Sequence, residues 1–323
     1  MNKQTSSEIL AIHSKAYADP LRLNILKVLG EGSFGVLELC QLFDVKQPSM
    51  SHHLKILATS RLASTHREGN TIFYQRALLN PEDDWFQLTT ELFSAVDNLL
   101  LPETAAIRLQ ELYQVRANSA QEFFNKHAAE FKEQQDLIAS YEQYGETLES
   151  LLDQIPTAKT QAMEIGPGEG AFLLPLASAF DQVIGLDVSQ AMLDKAKQLL
   201  EVHDVNNVQL AQGTTELAKQ ENITADFISC NMVLHHVPAP KEIFNDVAKL
   251  LTPNTNSRFL ITDLCRHDQE WAKNSCGDLW LGFEPEELTR WAEQAGLIED
   301  QSQYLGLRNG FQIQFRIFKL ANS

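Results

Sequence analysis

The sequence has no long apolar run and few cysteines. None of its hydrophobic stretches approaches the roughly 18 residues that a membrane-spanning helix needs. Its first residues also lack the apolar core and the cleavage site of a secretory signal. The cysteines fall in no Cys-x-x-Cys pair or paired framework; they are Cys40, Cys230, Cys265 and Cys276. These absences argue against a membrane span and a disulfide-stabilised secreted domain, and they predict a cytoplasmic protein with reduced thiols.

Positive charge is also scarce. The chain carries 26 Lys and Arg against 43 Asp and Glu, which gives a net charge of -17. Residues 1–80 are the exception, because they carry nine basic against six acidic side chains. Acidic surfaces repel nucleic acid, so we expect any polyanion to bind the first 80 residues and not the rest of the chain.

What the sequence does contain is a glycine-rich turn between two predicted strands. Residues 161–165 are predicted to form a buried strand, residues 171–180 a helix, and residues 182–186 a second strand. The glycines of the turn are Gly166, Gly168 and Gly170. They allow a ligand to approach bare backbone beside the free N–H groups of the helix. Asp187 ends the second strand about 20 residues later, where a carboxylate can bind a ribose diol, so the stretch predicts a nucleoside site.

The spacing of these residues narrows the choice of nucleoside. The dinucleotide fingerprint GxGxxG shares this logic, and an ordinary glycine-containing βαβ turn needs no ligand at all. Here the spacing is GxGxG, Glu164 stands two residues before the first glycine, and Asp187 is followed by the helix start SQAMLDKAK. In all three respects the stretch resembles the class I S-adenosylmethionine (SAM) dependent methyltransferases. The resemblance implies SAM as the cofactor, with Glu164 at its methionine amino end and Asp187 at its ribose hydroxyls.

The resemblance extends over the second half of the chain. Further alternating strands and helices, closed by an antiparallel pair of strands at 298–304 and 311–320, predict an α/β Rossmann-like domain with a seven-stranded sheet over residues 156–323. The residues predicted to bind the cofactor are Glu164, Gly166, Gly168, Gly170, Asp187, Val188, Met192, Gly213, Thr214 and Asn231.

The motif NMVLHHV at residues 231–237 resembles the segment after the fourth strand in methyltransferases of small molecules. Enzymes that methylate exocyclic amines of bases or glutamines carry an Asn/Asp-Pro-Pro-Tyr type motif there, and its absence argues against those acceptors. Methyl transfer to a protonated acceptor needs a base. The predicted catalytic residues are therefore His235, His236 and Asp263, with one histidine as the base and the other bonded to the backbone. Residues 265–280 are expected to shape the acceptor pocket.

The N-terminal part has the hydrophobic pattern of a helix-turn-helix. Two helices meet at Asp19 and Pro20, a third covers residues 33–43, and a fourth covers residues 48–57. The third helix is predicted to turn Val36, Leu37, Leu39 and Leu42 inward. The apolar side chains of the fourth helix share one face; they are Met50, Leu54 and Leu57. Residues 62–75 then have the pattern of two strands joined by the turn REGN, which completes a winged helix-turn-helix of class α+β.

The segments DPLRLNIL, QPSMSHHLKIL and REGNTIFYQ stand in the order and spacing of the ArsR/SmtB-type repressors, which residues 8–80 resemble. The resemblance implies a homodimer that places one recognition helix on each half-site of an operator in double-stranded DNA. The predicted DNA contacts are Gln47, Ser49, Ser51, His52, Lys55 and Arg67. A winged helix kept only for protein contacts is the alternative.

This family often senses metals, but this sequence lacks the ligands of two of its site types. Gly35 and Leu37 stand at the positions of the Cys-x-Cys pair, and residues 84–101 contain no histidine. No metal ligand is therefore predicted, and Cys40 is interpreted as a small core residue. The alternative function is an arsenical- or metal-responsive repressor with an arsenite-type methyltransferase activity, although the cysteine spacing does not reproduce the motif of those enzymes.

The sequence thus predicts three regions in one multidomain chain. Residues 1–80 form the DNA-binding domain, residues 81–155 a helical connector with dimerisation and lid helices, and residues 156–323 the methyltransferase domain. A helix over 82–101 is expected to bury an apolar stripe against a dimer mate. The aromatic side chains proposed either as a lid or as core are Phe123, Phe124, Phe131 and Tyr141. The predicted function is a transcriptional regulator that senses SAM or S-adenosylhomocysteine, or that methylates a small molecule.

Overall fold

The structure is a computed structural model that describes residues 6–68, 71–127, 131–254 and 256–321. The chain divides into two compact units, Met1–Val115 and Arg116–Ser323. This division falls inside the predicted connector, and the boundaries at residues 80 and 155 stay predictions. No helix in the described ranges has the length and apolar character needed to cross a membrane.

The first unit contains five helices and a small sheet, followed by the start of a sixth helix. Its elements are α1 (Ser6–Tyr17), α2 (Pro20–Leu29), β1 (Phe34–Gly35), α3 (Val36–Phe43), α4 (Gln47–Thr59), β2 (Ala63–Glu68), β3 (Thr71–Arg76), α5 (Phe86–Asp97) and α6 (Glu103–His127). The strands are ordered β1-β3-β2 and are antiparallel. This arrangement of helices and hairpin confirms the predicted winged helix-turn-helix.

The helix-turn-helix forms where the sequence pattern placed it. Asp19 caps α2, because its Oδ1 accepts a hydrogen bond from the Arg22 backbone N–H at 3.0 Å, and Pro20 takes the first helical position. The three apolar residues of α4 named above are fully buried in the core of this unit. The opposite face of α4 is consequently left for solvent or a ligand.

Three local predictions in this unit are wrong. Leu37 was expected in the core but is 63% exposed, since α3 begins after the short strand β1 and turns Leu39 and Leu42 inward. The predicted stripe continued to Leu100, which is 93% exposed. The helix ends at Asp97 with Asn98 as its C-cap, so it does not reach Leu100.

Two residues of the predicted wing turn lie in a strand instead. Arg67 and Glu68 belong to β2 and pair with Ile72 and Thr71 of β3. The rest of the predicted turn, residues 69 and 70, lies outside the described residues. Arg67 therefore projects from a strand near the tip of the hairpin.

The second unit is an α/β domain. Its elements after α6 are α7 (Phe131–Asp136), α8 (Tyr141–Gln154), β4 (Gln161–Ile165), α9 (Leu173–Ala179), β5 (Gln182–Asp187), α10 (Gln190–Val202), β6 (Val208–Gln212), α11 (Thr215–Gln220), β7 (Phe227–Asn231), a 3-10 turn (Leu234–His236), α12 (Pro240–Leu250), β8 (Arg258–Leu264), α13 (Trp271–Cys276), α14 (Pro285–Gln294), β9 (Leu297–Gly306) and β10 (Gln312–Leu320). The predicted Rossmann-like fold is confirmed.

The sheet has seven strands in the order β6-β5-β4-β7-β8-β10-β9. The first five are parallel, whereas β10 is antiparallel to β8 and β9, as the sequence predicted for the closing pair. The chain winds outward from β4 in one direction through β5 and in the other through β7. A ligand crevice opens at such a reversal, outside the carboxyl ends of β4 and β7.

Two hydrophobic cores cover the two faces of this sheet. Neighbouring residues of one strand belong to opposite cores, as Leu260 and Ile261 of β8 do. Leu148 of α8 packs in the first core, and Trp291 of α14 packs in the second. Because both faces are covered, the strand-end side chains at the crevice are held by a rigid scaffold.

The connector helices differ from the prediction in one respect. The segment predicted as two helices, residues 103–115 and a second from residue 119, is one continuous helix, α6. Of the four aromatic residues proposed as a lid or as core, the side chains of Phe124 and Phe131 lie outside the described residues.

Candidate cofactor, acceptor and DNA-binding sites

The glycine turn after β4 has the backbone that the sequence predicted. All three of its glycines have positive φ, at 68° for Gly166, 54° for Gly168 and 89° for Gly170. A Cβ on Gly166 would lie 2.6 Å from a methyl of Val233, and a Cβ on Gly170 would lie 3.0 Å from that of Ala196. A Cβ on Gly168 would meet nothing within 4 Å, so this glycine has open space beside it.

Asp187 at the end of β5 closes this turn. Its Oδ2 accepts a hydrogen bond from the Gly168 backbone N–H at 3.3 Å, and its Oδ1 accepts one from the Ser189 N–H at 2.8 Å. Burial raises the pKa of Asp187, and these backbone N–H groups oppose the rise. The carboxylate therefore lies beside the glycine turn, as a ribose-binding role requires.

Glu164 lies in β4 beside Asn231 at the end of β7. Glu164 Oε1 accepts a hydrogen bond from Asn231 Nδ2 at 3.1 Å, while Glu164 Oε2 and Asn231 Oδ1 are buried without a hydrogen-bond partner. Burial raises the pKa of Glu164 to about 8, although the Asn231 hydrogen bond lowers it. Two unpaired acceptors, buried at the crevice, fit a ligand that brings hydrogen-bond donors such as an ammonium group.

The remaining predicted cofactor residues line the neighbouring loops. Val188 follows Asp187 and is exposed, whereas Met192 on α10 is buried. Thr214 caps α11 and accepts a hydrogen bond from the Glu216 N–H at 3.3 Å, beside Gly213. These contacts are compatible with the predicted roles, which nevertheless stay predictions.

The structure adds Tyr144, which the sequence analysis did not single out. This side chain of α8 is buried, and its pKa is raised by burial and then by the charge of Glu164. The ring of the predicted lid residue Tyr141 packs edge-on against it at 5.5 Å. The helical spacing of Tyr144 and Leu148 indicated only a buried face, and nothing in it pointed to Glu164.

The predicted catalytic residues do lie together. His235 Nδ1 lies 2.8 Å from Asp263 Oδ1, and the two imidazole rings of His235 and His236 are 4.1 Å apart. His236 Nδ1 lies 3.3 Å from the carbonyl oxygen of Gly277, so one histidine contacts a carboxylate and the other the backbone. All three side chains are buried.

Asp278 is the member of this cluster that the sequence analysis missed. Its Oδ1 lies 3.8 Å from both His235 Nε2 and His236 Nδ1. Burial lowers the pKa of His235, but the charges of Asp263 and Asp278 outweigh that effect and raise it to about 9. Burial and the neighbouring His235 hold the pKa of His236 well below its usual range. The sequence placed residues 265–280 at the acceptor pocket but could not show which of them faces the histidines.

The recognition helix α4 presents a polar face. Five of the six residues predicted to contact DNA lie on it and are all exposed; they are Gln47, Ser49, Ser51, His52 and Lys55. Arg67 is exposed on the wing strand β2. His53 is half-buried, with Nδ1 3.4 Å from Arg22 Nη1 at the start of α2, so it packs inside this unit.

Comparison with known proteins separates the same two parts. Residues 19–65 match the family described as bacterial regulatory protein, arsR family, and residues 163–256 match a methyltransferase domain. The transcriptional repressor SdpR of Bacillus subtilis is 40% identical over 60 residues, which are 19% of this chain and 67% of the repressor.

The second part has more distant relatives. The uncharacterized methyltransferase YcgJ of Bacillus subtilis is 28% identical over 106 residues, or 33% of this chain, and the match spans only 41% of YcgJ. The crystal structure of the [4+2]-cyclase SpnF superimposes with a TM-score of 0.52 at 12% identity, over 66% of this chain and 97% of SpnF. At that identity the likeness shows the fold alone.

Proposed function

Because this chain belongs to the arsR family of bacterial regulatory proteins and continues into a methyltransferase domain with SAM as its cofactor, we propose that it is a transcriptional regulator whose operator affinity depends on that domain. In this proposal the winged helix binds double-stranded DNA, and the second unit senses SAM or S-adenosylhomocysteine, methylates a small molecule, or does both. The observation that carries the proposal is the pair of buried, unpaired acceptors on Glu164 and Asn231 beside an open glycine turn.

The polar face of α4 supports the DNA-binding role. Its hydroxyls, amide and ammonium can donate to phosphates and to base edges in the major groove. The apolar side chains of the same helix are buried, so the polar face is free of any packing role. The predicted homodimer would set two such helices at the spacing of operator half-sites, in the cytoplasm where the DNA is.

The crevice residues support the cofactor role. Glu164 and Asn231 would hold the methionine end of SAM, the Gly168 backbone would pass close to the ligand, and Asp187 would accept from the ribose hydroxyls. When bound, SAM supplies an activated methyl group. The chain's own contribution to transfer would be to orient the acceptor beside the buried cluster of His235, His236 and Asp263.

A ligand can change operator affinity only if it binds the DNA-competent and DNA-incompetent forms with different affinity. The test is to titrate SAM and S-adenosylhomocysteine into a complex of the protein with its selected operator, and then to incubate the protein with labelled SAM and cell extract. A change in DNA affinity supports sensing, and labelled product supports turnover. If the protein binds SAM but shows neither a change in DNA affinity nor a labelled product, the proposal is contradicted.

The arsenical- or metal-responsive alternative has less support. Thiolates bind arsenite and are common zinc ligands, and burial raises the pKa of every cysteine, to about 11 for Cys265 and about 12 for Cys276. This alternative requires release from DNA by arsenite or zinc and loss of that response in Cys40→Ser. If arsenite or zinc still releases Cys40→Ser from DNA, the thiol of Cys40 is not the sensing group.

A further inference from the structure

The cluster around His235 has the composition of a metal site. Within the described ranges, His235, His236 and Asp278 are the one group of three His, Cys, Asp or Glu residues whose ligand atoms all lie within 4.8 Å of one another. All three are buried. They come from two different segments, the 3-10 turn after β7 and the loop after α13, so the fold brings them together.

Asp263 fixes the orientation of the first histidine. Its Oδ1 lies 2.8 Å from His235 Nδ1, and its Oδ2 accepts a hydrogen bond from the His235 backbone N–H at 3.3 Å. A carboxylate at Nδ1 holds that nitrogen as the N–H donor and directs the Nε2 lone pair to the other side of the ring. That side is where Asp278 lies, with Oδ1 3.8 Å from His235 Nε2.

The surroundings of Asp278 support a metal site independently of the histidines. Its side chain is fully buried, yet neither Oδ1 nor Oδ2 has a hydrogen-bond partner among the described residues. Buried carboxylates in proteins are paired, hydrogen-bonded or bound to metal. The imidazole nitrogens His235 Nε2 and His236 Nδ1 both lie 3.8 Å from Oδ1, which is within ion-pair distance but too far for a hydrogen bond.

A separation of 3.8 Å is close to that of two atoms sharing a metal. With metal–ligand distances of about 2.1 Å in tetrahedral geometry, neighbouring ligand atoms lie about 3.4 Å apart. We propose that His235 Nε2, one ring nitrogen of His236 and an oxygen of Asp278 bind one divalent first-row transition-metal ion, such as zinc. The set of two imidazoles and one carboxylate leaves a coordination position open, as in catalytic metal sites.

The open position suggests which acceptors this domain takes. A bound divalent ion lowers the pKa of a hydroxyl or thiol that coordinates it. The two histidines lie in the short segment that follows Asn231 of β7. Val233 of this segment is so close to the cofactor turn that a Cβ on Gly166 would touch it. The acceptor would therefore carry an oxygen or sulfur nucleophile. This assignment rests on the methyltransferase role proposed above, whereas metal binding itself does not.

Cobalt(II) is the probe for the experiment, because it reports its own coordination. The full chain is dialysed against a chelator, freed of it and titrated with cobalt(II) while the visible d–d bands are recorded. We expect one equivalent of cobalt to give the intense bands of a four- or five-coordinate site, and zinc to abolish them. Asp278→Asn, which keeps the shape of the side chain, should lose these bands, and His203→Gln, an exposed histidine of the same unit, should leave them unchanged.

Asp263→Asn provides a second test if Asp278→Asn fails to fold. It removes the partner of His235 but no ligand, so we expect cobalt affinity to fall by roughly 10–100-fold with the bands retained. SAM binding measured on each variant shows whether the fold is intact and separates failure of the metal site from failure of the cofactor site. The absence of d–d bands in the wild type, or equal affinity in wild type, Asp278→Asn and Asp263→Asn, would overturn the proposal.

Discussion

At the scale of single residues, the cofactor crevice depends on two carboxylates and a glycine in different environments. Asp187 accepts backbone hydrogen bonds, whereas Glu164 keeps one buried oxygen without a partner. The pKa of Glu164 is about 8 because burial disfavours its charge. An incoming ammonium group would reverse that preference, which makes ligand binding at this residue dependent on pH.

SAM affinity is therefore expected to rise with pH. Below a pKa of about 8, Glu164 is mostly protonated in the free protein, and binding an ammonium requires the carboxylate. Each pH unit below the pKa costs up to about tenfold in affinity. Calorimetric titration at pH values about 0.5–2 units below that pKa should show this rise in the wild type and a flat, weaker profile in Glu164→Gln. A profile in the wild type that does not change with pH would contradict the assignment of Glu164.

The open space at Gly168 gives a second prediction at this scale. Gly168→Ala places a methyl in the crevice, while Gly296→Ala adds one at another positive-φ glycine with nothing within 4 Å. Both should lose about 1–2 kcal/mol of unfolding free energy, because alanine is strained in the left-handed region. Only Gly168→Ala should weaken SAM binding, as measured by calorimetry beside urea unfolding. Equal SAM affinity in the two variants would mean that the ligand does not approach Gly168.

At the scale of secondary-structure elements, the helices and strands follow from local signals. Asp19 and Pro20 set the start of α2, and the spacing of Met50, Leu54 and Leu57 set the buried face of α4. The exposed Leu37 was not predictable, because an apolar residue at helical spacing looks the same whether it faces the core or solvent. The two-residue strand β1 was missed since it is defined only by its pairing with β3.

Removal of a lysine from the recognition helix α4 should weaken DNA binding. Lys55 is exposed on α4, and loss of one phosphate contact should lower DNA affinity roughly tenfold at 0.1 M salt and reduce the salt slope by about one. Lys55→Ala should show this by fluorescence anisotropy on operator and on unrelated DNA alike. The matched control is Lys197→Ala, which removes an exposed lysine of α10. The same loss in Lys197→Ala would point to net charge and not to a contact of α4.

At the scale of the whole molecule, the seven-stranded sheet was predictable, and the acceptor cluster was not. Alternating strands and helices, with Glu164 and Asp187 at strand ends, are enough to place the cofactor residues at one edge. The position of Asp278 depends on the loop after α13, and its distance from the histidines follows from packing that no periodicity records. The predicted absence of metal ligands rested on the sensor positions of the first unit, which say nothing about this cluster.

The homodimer expected from the family is a prediction about assembly. Leu100 and Ile107 are large apolar side chains exposed by 93% and 53% in the first unit, and burial against a second copy would stabilise them. Leu100→Glu together with Ile107→Glu should shift the mass measured by light scattering from two chains towards one. Val202→Glu, at an exposed apolar position of the second unit, should leave the mass unchanged. A wild-type protein with the mass of one chain would contradict the prediction.

The central claim is that cofactor occupancy of the second unit sets DNA binding by the first. The most direct measurement is the operator dissociation constant by fluorescence anisotropy, with and without saturating SAM or S-adenosylhomocysteine, in wild type and in Gly168→Ala. The account predicts at least about a fivefold change in the wild type, the lower end of typical allosteric coupling, and none in Gly168→Ala. An unchanged dissociation constant in a wild-type protein that demonstrably binds SAM would contradict it.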